Sequence, residues 1–392
     1  MIRNTVFSQV LQIICHHRFK KCVDRYEGDR YTKRFSCWQQ LLVLLFAQAK
    51  GLTSLRDIVV SLRSHHRKWY HLGLTSVARS TLADANSDRD ADILKDVFYE
   101  LLDKCRQLAP HHRFKFKNPL YTFDSTLISV CLSLCPWAIY RKKKGAFKLH
   151  TLLEHSGYLP SFMVITDGKT HDVNVVKDTS FGFPSLSPDS ILLVDRAYID
   201  YSWLNSLTKN KLFFITRVKK NMKYTVLGQQ KVSNNNGIVS DCLVRLLNFY
   251  QQRYYPAQLR LVTVVDPESG DHITFMTNNF NLDAATIAEL YKSRWEIETF
   301  FKWIKQNLKI KSFLGTSKNA VMTQIWAAMI YYLLLSFIKF QTKCRHSLHE
   351  LTRTIGEILL DTNNLIEILT VSFDRFKAVT RKQQQLSLAL KF

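Results

Sequence analysis

The chain is expected to be a mixed α/β protein in which helical segments flank a strand-rich middle. Apolar residues recur at helical spacing through roughly the first 115 positions. Short runs rich in Val, Ile, Thr, Phe and Tyr, separated by turn sequences, then fill Leu120 to Thr277, and helical spacing returns from Asp283 onward. At 392 residues the chain can hold two or three domains, and a hydrophobic content of 46% excludes a disordered one.

In the N-terminal part, the apolar segment from Trp38 to Ala47 and the segment from Leu55 to Leu62 predict helices. The small, polar stretch from Ser76 to Asn86 follows the basic cluster Arg63 to Lys68. It fits the recognition helix of a helix-turn-helix unit and equally an ordinary amphipathic helix. His111-His112-Arg-Phe-Lys-Phe-Lys117-Asn-Pro119 is expected to be a basic linker, which closes a helical N-terminal DNA-binding domain over 1–117.

Strands follow. Leu120 to Ile128, Ala146 to Glu154 and Ser161 to Thr166, with a turn at Ser156 to Pro160, predict an antiparallel meander. A helix is expected around Asp172 to Thr179. Ile191-Leu-Leu-Val194 is unbroken and apolar, the pattern of a strand buried on both faces, and it ends in Asp195. Lys211 to Val218 predicts the next strand, and about 219–280 a mainly β insertion, with Ser233 to Gly237 as a loop tip. The longest apolar run, Ile325 to Ile338, is about 14 residues, short of a bilayer span and expected to be a buried helix.

Lysine and arginine total 55 against 32 acidic residues, a formal charge of +23, which points to an extended polyanion as partner. The N-terminus lacks an apolar leader with a cleavage site, so a cytoplasmic, nucleoid-associated protein is expected, with no membrane partner. The closest of eight cysteines, Cys131 and Cys135, lack partners at zinc-finger spacing and are expected to be reduced thiols.

The densest chemistry lies in Tyr291-Lys-Ser-Arg294-Trp295-Glu-Ile-Glu298-Thr-Phe-Phe-Lys302-Trp-Ile-Lys305. On one continuous helix, Tyr291, Arg294, Glu298 and Lys305 would share an arc of roughly 60°. Ile297, Phe300, Phe301, Ile304 and Leu308 form a separate apolar arc. A carboxylate suits a hard metal ion and the cations suit phosphate. A solvated face with Arg and Glu paired at i, i+4 would look the same. Elsewhere Asp124, inside Phe-Asp-Ser-Thr on an apolar strand, is costly to bury unless paired or metal-bound, and Asp195 sits at a strand end where ligands bind or helices are capped.

The interval Tyr-x2-Arg-x3-Glu-x6-Lys resembles the signature around the catalytic glutamate of the IS4 family of bacterial DDE transposases. The resemblance implies an RNase H-like catalytic domain over 118–320 and a helical C-terminal region over 321–392. It implies Asp124, Asp195 and Glu298 as catalytic residues and ligands of two magnesium ions, with manganese able to substitute. Arg294 and Lys305 would hold DNA phosphates, Tyr291 the backbone near the cut and Trp295 a displaced base, although Trp295 could equally pack, as Trp303 is expected to. Lys302 would add a phosphate contact. The activity implied is binding of terminal inverted repeats, then metal-dependent cleavage and strand transfer by a homodimer, with or without a hairpin intermediate. The helix from Trp326 to Phe340 is the candidate dimer interface.

Arg141, Lys142, Lys143 and Lys144, with Lys148, form a second candidate DNA surface between the first two strands. Gly168-Lys169-Thr170 is not a phosphate-binding loop, because Met163 stands where a glycine is needed, so no nucleotide cofactor is expected. Two other functions keep the same carboxylates in view: a metal-dependent nuclease without strand transfer, and a DNA-binding protein that has lost catalysis.

Overall fold

The computed structural model describes residues 5–69, 72–74, 76–130, 135–141, 144–219, 221–230, 232, 237–266, 268–307 and 314–370, with Ile139, Arg141, Lys144 and Thr370 described by backbone alone. Lys142, Lys143 and most of the expected 233–237 loop tip lie outside the described residues, as do the side chains of Arg141 and Lys144.

The chain opens with helices α1 (Val6–Leu11), α2 (His16–Arg25), α3 (Cys37–Lys50), α4 (Leu55–Ser64), α5 (Arg79–Asp88) and α6 (Asp92–Leu108). The middle carries β1 (Leu120–Val130), β2 (Ile139–Arg141), β3 (Lys144–Glu154), β4 (Leu159–Asp167), α7 (Asp172–Lys177), β5 (Ile191–Val194), α8 (Tyr201–Lys209) and β6 (Phe213–Arg217). Then come β7 (Tyr224–Gln229), β8 (Ile238–Leu246), α9 (Phe249–Tyr254), β9 (Leu259–Val265), β10 (His272–Thr277), α10 (Ala284–Ser293) and α11 (Glu296–Asn307). The last helices are α12 (Lys318–Thr342), α13 (Leu348–Ile358) and α14 (Leu365–Thr370).

Two compact units result, Met1–Ala109 with Asn307–Phe392, and Pro110–Gln306. In the helical unit α3 starts in a capping box, in which Ser36 accepts from the Gln39 amide and the Gln39 side chain accepts from the Ser36 amide. Every residue from Leu41 to Ala47 is buried, so α3 is a core helix rather than a half-exposed one. Gly356 on α13 is required by close approach, since a Cβ there would meet the Ala49 carbonyl oxygen at 2.6 Å. Within the region expected as separate, 321–392, the described residues up to Thr370 thus belong to the same unit as the N-terminal helices.

Helix α12 is 25 residues long, apolar enough to cross a membrane by length and composition, and 89% buried over its most apolar window. It packs on α3, α5, α6 and α13, with the Phe98 and Trp326 rings 5.3 Å apart. Tyr331 is 3% exposed and Leu334 is fully buried, so the expected dimer interface is corrected: this apolar face is covered within the unit itself. On α5, Leu82, Ala85 and Asn86 are buried while Arg79, Ser80 and Thr81 face solvent, the pattern of an amphipathic helix with one free face.

The second unit is built on one ten-stranded sheet of order β2-β3-β1-β5-β6-β10-β9-β8-β7, with β4 also paired to β3. The β1–β3 and β3–β4 pairs are antiparallel, as the meander predicts, whereas β1–β5 and β5–β6 are parallel. All four residues of β5 are buried, as its unbroken apolar run predicts. The strands expected as an insertion at about 219–280 continue this same sheet, because β10 pairs antiparallel with β6 and β9, β8 and β7 follow in turn. One face of the sheet packs Phe123, Tyr198, Trp203 and Phe214; the other packs Leu120, Leu193, Ile215, Leu290 and Tyr291.

Candidate active site

Strand β1 lies between β3 and β5, and Asp124, its fifth residue of eleven, stands between fully buried Phe123 and half-buried Ser125. The last registered β1–β5 pair is Phe123 with Val194. One step further along these parallel strands places Asp124 beside Asp195, the first residue beyond β5. Asp195 opens a short 3₁₀ turn over Arg196–Tyr198, but its side chain makes no capping hydrogen bond. Asp195 lines an open depression with Arg196, Ala197 and Lys219.

The segment bearing the four-residue signature is two helices, not the single one expected. Helix α10 is capped by Asp283, which accepts from the Thr286 amide at 2.8 Å, and it ends at Ser293. At the junction the Arg294 amide donates to the Tyr291 carbonyl (3.1 Å) and the Trp295 amide to that of Lys292 (3.3 Å), the tighter i→i−3 pattern. Helix α11 then starts at Glu296. The break turns the Tyr291 ring into the core, 4.7 Å from Phe275, and leaves Trp295 61% exposed. Lys302 and Lys305 face solvent, while Trp303 is buried as expected.

Arg294 is turned inward. Its Nη1 lies 3.3 Å from Asp124 Oδ2 and its Nη2 3.0 Å from Glu298 Oε1, so the guanidinium bridges two of the three expected carboxylates. The guanidinium carbon stands 5.7 Å from the Tyr291 ring and 5.8 Å from that of Trp295, and Nε is buried without a hydrogen-bond partner. Asp124 also accepts from the Ser125 amide at 2.8 Å. Burial nonetheless pushes its carboxyl up to about 6, with Asp195 and Asp172 adding to the rise and the Ser125 amide and Arg294 opposing it. Desolvation therefore outweighs the arginine.

Among the described residues, no three His, Cys, Asp or Glu side chains are placed to hold a metal ion as they stand. The donor chemistry nevertheless suits a hard cation. Asp124 and Asp195 are neighbours on adjoining strands, and between Asp124 and Glu298 a positive group already sits.

The sequence reading missed a polar network on the face of β1 opposite Asp124. The Ser125 hydroxyl donates to Asp172 Oδ1 at 2.7 Å, and Lys148 Nζ donates to the same oxygen at 3.1 Å and to the Thr170 carbonyl at 2.8 Å. His150, fully buried beside Asp172, has its ring pulled down to about 4 by burial. Lys148 is thus corrected from a DNA-facing cation to an internal tether, because its ammonium is committed to α7. The signal available was the charge of Asp172 at the first turn of a helix following a turn; the turn itself is closed by Asp167, which accepts from the Lys169 and Thr170 amides.

With this geometry in place, comparison with known proteins is specific. The family model described as the transposase DDE domain matches residues 115–334, more than half of the chain, and a domain of unknown function matches residues 2–75. A Sinorhizobium fredii protein named as a transposase is 35% identical over 264 residues, 66% of this chain and 71% of that one. A Geobacillus stearothermophilus protein named as a transposase for insertion sequence element IS5377 is 30% identical over 272 residues, 69% of this chain and 70% of that one. A Synechocystis protein named as a transposase for insertion sequence element IS4SA is 26% identical over 284 residues, 71% of this chain and 76% of that one. Among solved structures, a piggyBac transposase synaptic complex with hairpin DNA is 11% identical, with a TM-score of 0.46 and coverage of 92% of this chain and 80% of that chain. The central, carboxylate-bearing part of this chain and its relatedness to transposases of insertion sequences agree: the chain belongs to the DDE transposase family.

Proposed function

We propose that the chain is an IS4-like transposase that binds the terminal inverted repeats of its element, cleaves the DNA strand there and joins the freed 3′-hydroxyl to target DNA. The observation that carries this reading is the meeting of Asp124 and Asp195 on adjacent parallel strands, with Glu298 tied to Asp124 through Arg294. The order β4-β3-β1-β5-β6, two antiparallel pairs followed by two parallel ones, supports an RNase H-like core.

Asp124, Asp195 and Glu298 would hold the divalent ions, magnesium in the first instance. Such a pair of ions activates an oxygen nucleophile and relieves charge on the leaving oxygen. For Glu298 and Asp124 to ligate, Arg294 must release both, and a DNA phosphate is the natural acceptor for its fork. Exposed Lys302 and Lys305 then lie one and two turns along α11 to hold the backbone, and exposed Trp295 offers a ring to an unstacked base. Two copies acting on two ends is the arrangement expected of the active complex.

The test pairs labelled element ends with a target plasmid in magnesium or in chelator. Joined products formed only with magnesium support the proposal. Magnesium-dependent cuts without joining favour a nuclease, and binding without any chemistry favours a DNA-binding protein that has lost catalysis.

A further inference from the structure

The far end of the sheet carries an exposed surface that the carboxylate site does not use. Strand β7 is the terminal strand, bonded only to β8, and all six of its residues are exposed. The Leu247 amide donates to the Lys223 carbonyl at the start of β7 (3.0 Å), and the next helix, α9, which packs on β8, projects Phe249 (73% exposed), Tyr250 (70%) and Tyr254 (53%) into solvent. Leaving three rings this bare on one short helix forgoes the burial that large aromatic side chains ordinarily gain. Exposed patches of this kind mark interaction sites.

Charge identifies the partner. Between residues 217 and 265 the only acidic residue is Asp241, and it is buried in a two-pronged pair with Arg260 (2.9 and 2.7 Å). Against it, Lys223, Arg245 and Arg253 are exposed, and none has a salt-bridge partner among the described residues. A second copy of this chain would bring like charge onto like charge. A polyanion would not.

The aromatic rings narrow the polyanion further. A duplex hides its base faces in its own stack, so exposed side-chain rings gain little from it, whereas unpaired bases offer a face to each ring. The surface also leads away from the carboxylates: Lys219, just after β6, lines the depression that Asp195 opens into, and Lys223 and β7 follow it in the chain.

We propose that β7 and α9 form a platform for single-stranded DNA, with Phe249, Tyr250 and Tyr254 stacking on unpaired bases while Lys223, Arg245 and Arg253 hold the phosphates between them. The proposal rests on the transposase reading for where such a strand arises, since strands separated at a cut end beside Asp195 would have to be led away from it.

The test is fluorescence anisotropy of short labelled oligonucleotides, single-stranded and duplex, across a salt series, with the full-length protein. The probes carry no element sequence, so no cleavage is required. Phe249→Ala with Tyr250→Ala should weaken single-strand binding roughly tenfold per ring and leave duplex binding within about twofold. Lys223→Ala, Arg245→Ala and Arg253→Ala together should flatten the single-strand salt slope by about 2, from three phosphate contacts. Equal losses on both probes overturn the stacking role, and unchanged binding in both sets of variants overturns the platform. Conversion of a dimer to monomers by the ring variants on light scattering would assign the surface to a second copy instead. The same titration in chelator separates the two readings: single-strand binding should persist without divalent ions, so a failure of the platform and a failure of cleavage chemistry are seen independently.

Discussion

Removing the Arg294 guanidinium should make the protein both less stable without metal and more responsive to it. Arg294 is 9% exposed, and it neutralises Asp124 (21% exposed) and Glu298 (39% exposed) at once. Even with that help, Asp124 titrates at about 6 against an ordinary 3.8. A carboxyl raised in the fold is favoured there in its protonated form. The fold therefore loses stability as pH rises from about 4 to about 6, and above that it carries the whole cost of ionising Asp124, on the order of 3 kcal/mol. In Arg294→Ala the counter-charge is gone, so the titration moves higher and the penalty grows. Breaking a buried pair costs about 3 to 5 kcal/mol, and the half-exposed Glu298 lowers the expectation to roughly 1 to 3 kcal/mol at pH 8, with little change at pH 4. Magnesium should then stabilise the variant more than the wild type, because wild-type Asp124 and Glu298 must first give up an arginine. The assay is denaturant unfolding at pH 4 and pH 8, with magnesium or chelator, in the absence of DNA. A magnesium-induced gain in Arg294→Ala no larger than in wild type would refute the idea that the guanidinium stands in for a bound cation.

Three further outcomes follow from the packing. Leu334→Ala, in the fully buried stretch of α12, should cost about 2 to 5 kcal/mol of stability without altering oligomeric state, checked by denaturant melts and light scattering. Lys148→Met should leave the salt dependence of duplex binding unchanged, since its ammonium is bonded to Asp172 and Thr170; a slope flattened by about 1 would return it to the DNA surface. Asp241→Ala strands Arg260, whose side chain is 3% exposed, and should destabilise the protein by about 3 to 5 kcal/mol; a near-neutral melt would show that the pair is not buried in solution.

What was legible in the sequence was local. The apolar run Ile191 to Val194 announced a two-sided buried strand, and the β-rich run Leu120 to Ile128 announced a strand carrying Asp124, so the two aspartates could be placed at strand positions before any pairing was known. Their adjacency was not legible, because the parallel β1–β5 pair joins residues about 70 apart and nothing local records it. The same limit hid the continuity of the sheet, in which β10 closes onto β6 across the segment that resembled an insertion. The break at Arg294 and Trp295 escaped because a tightened turn keeps nearly helical periodicity while rotating the side chains that follow. Apolar composition marked α12 as buried, yet it could not distinguish a face covered by α3 and α6 from one covered by a second copy. Lys148 belonged to a charge run, and whether such a run faces solvent or a hidden Asp172 depends on a contact 24 residues away.

The central claim is that Asp124, Asp195 and Glu298 act as one reaction centre. Single-turnover strand cleavage of end DNA in magnesium, compared among wild type, Asp124→Asn, Asp195→Asn and Glu298→Gln at matched DNA occupancy, tests it most directly. Cleavage by the wild type and its loss in each variant, with end binding retained in all, is the result predicted. Cleavage persisting near the wild-type rate in any one variant would contradict the claim and remove that carboxylate from the centre.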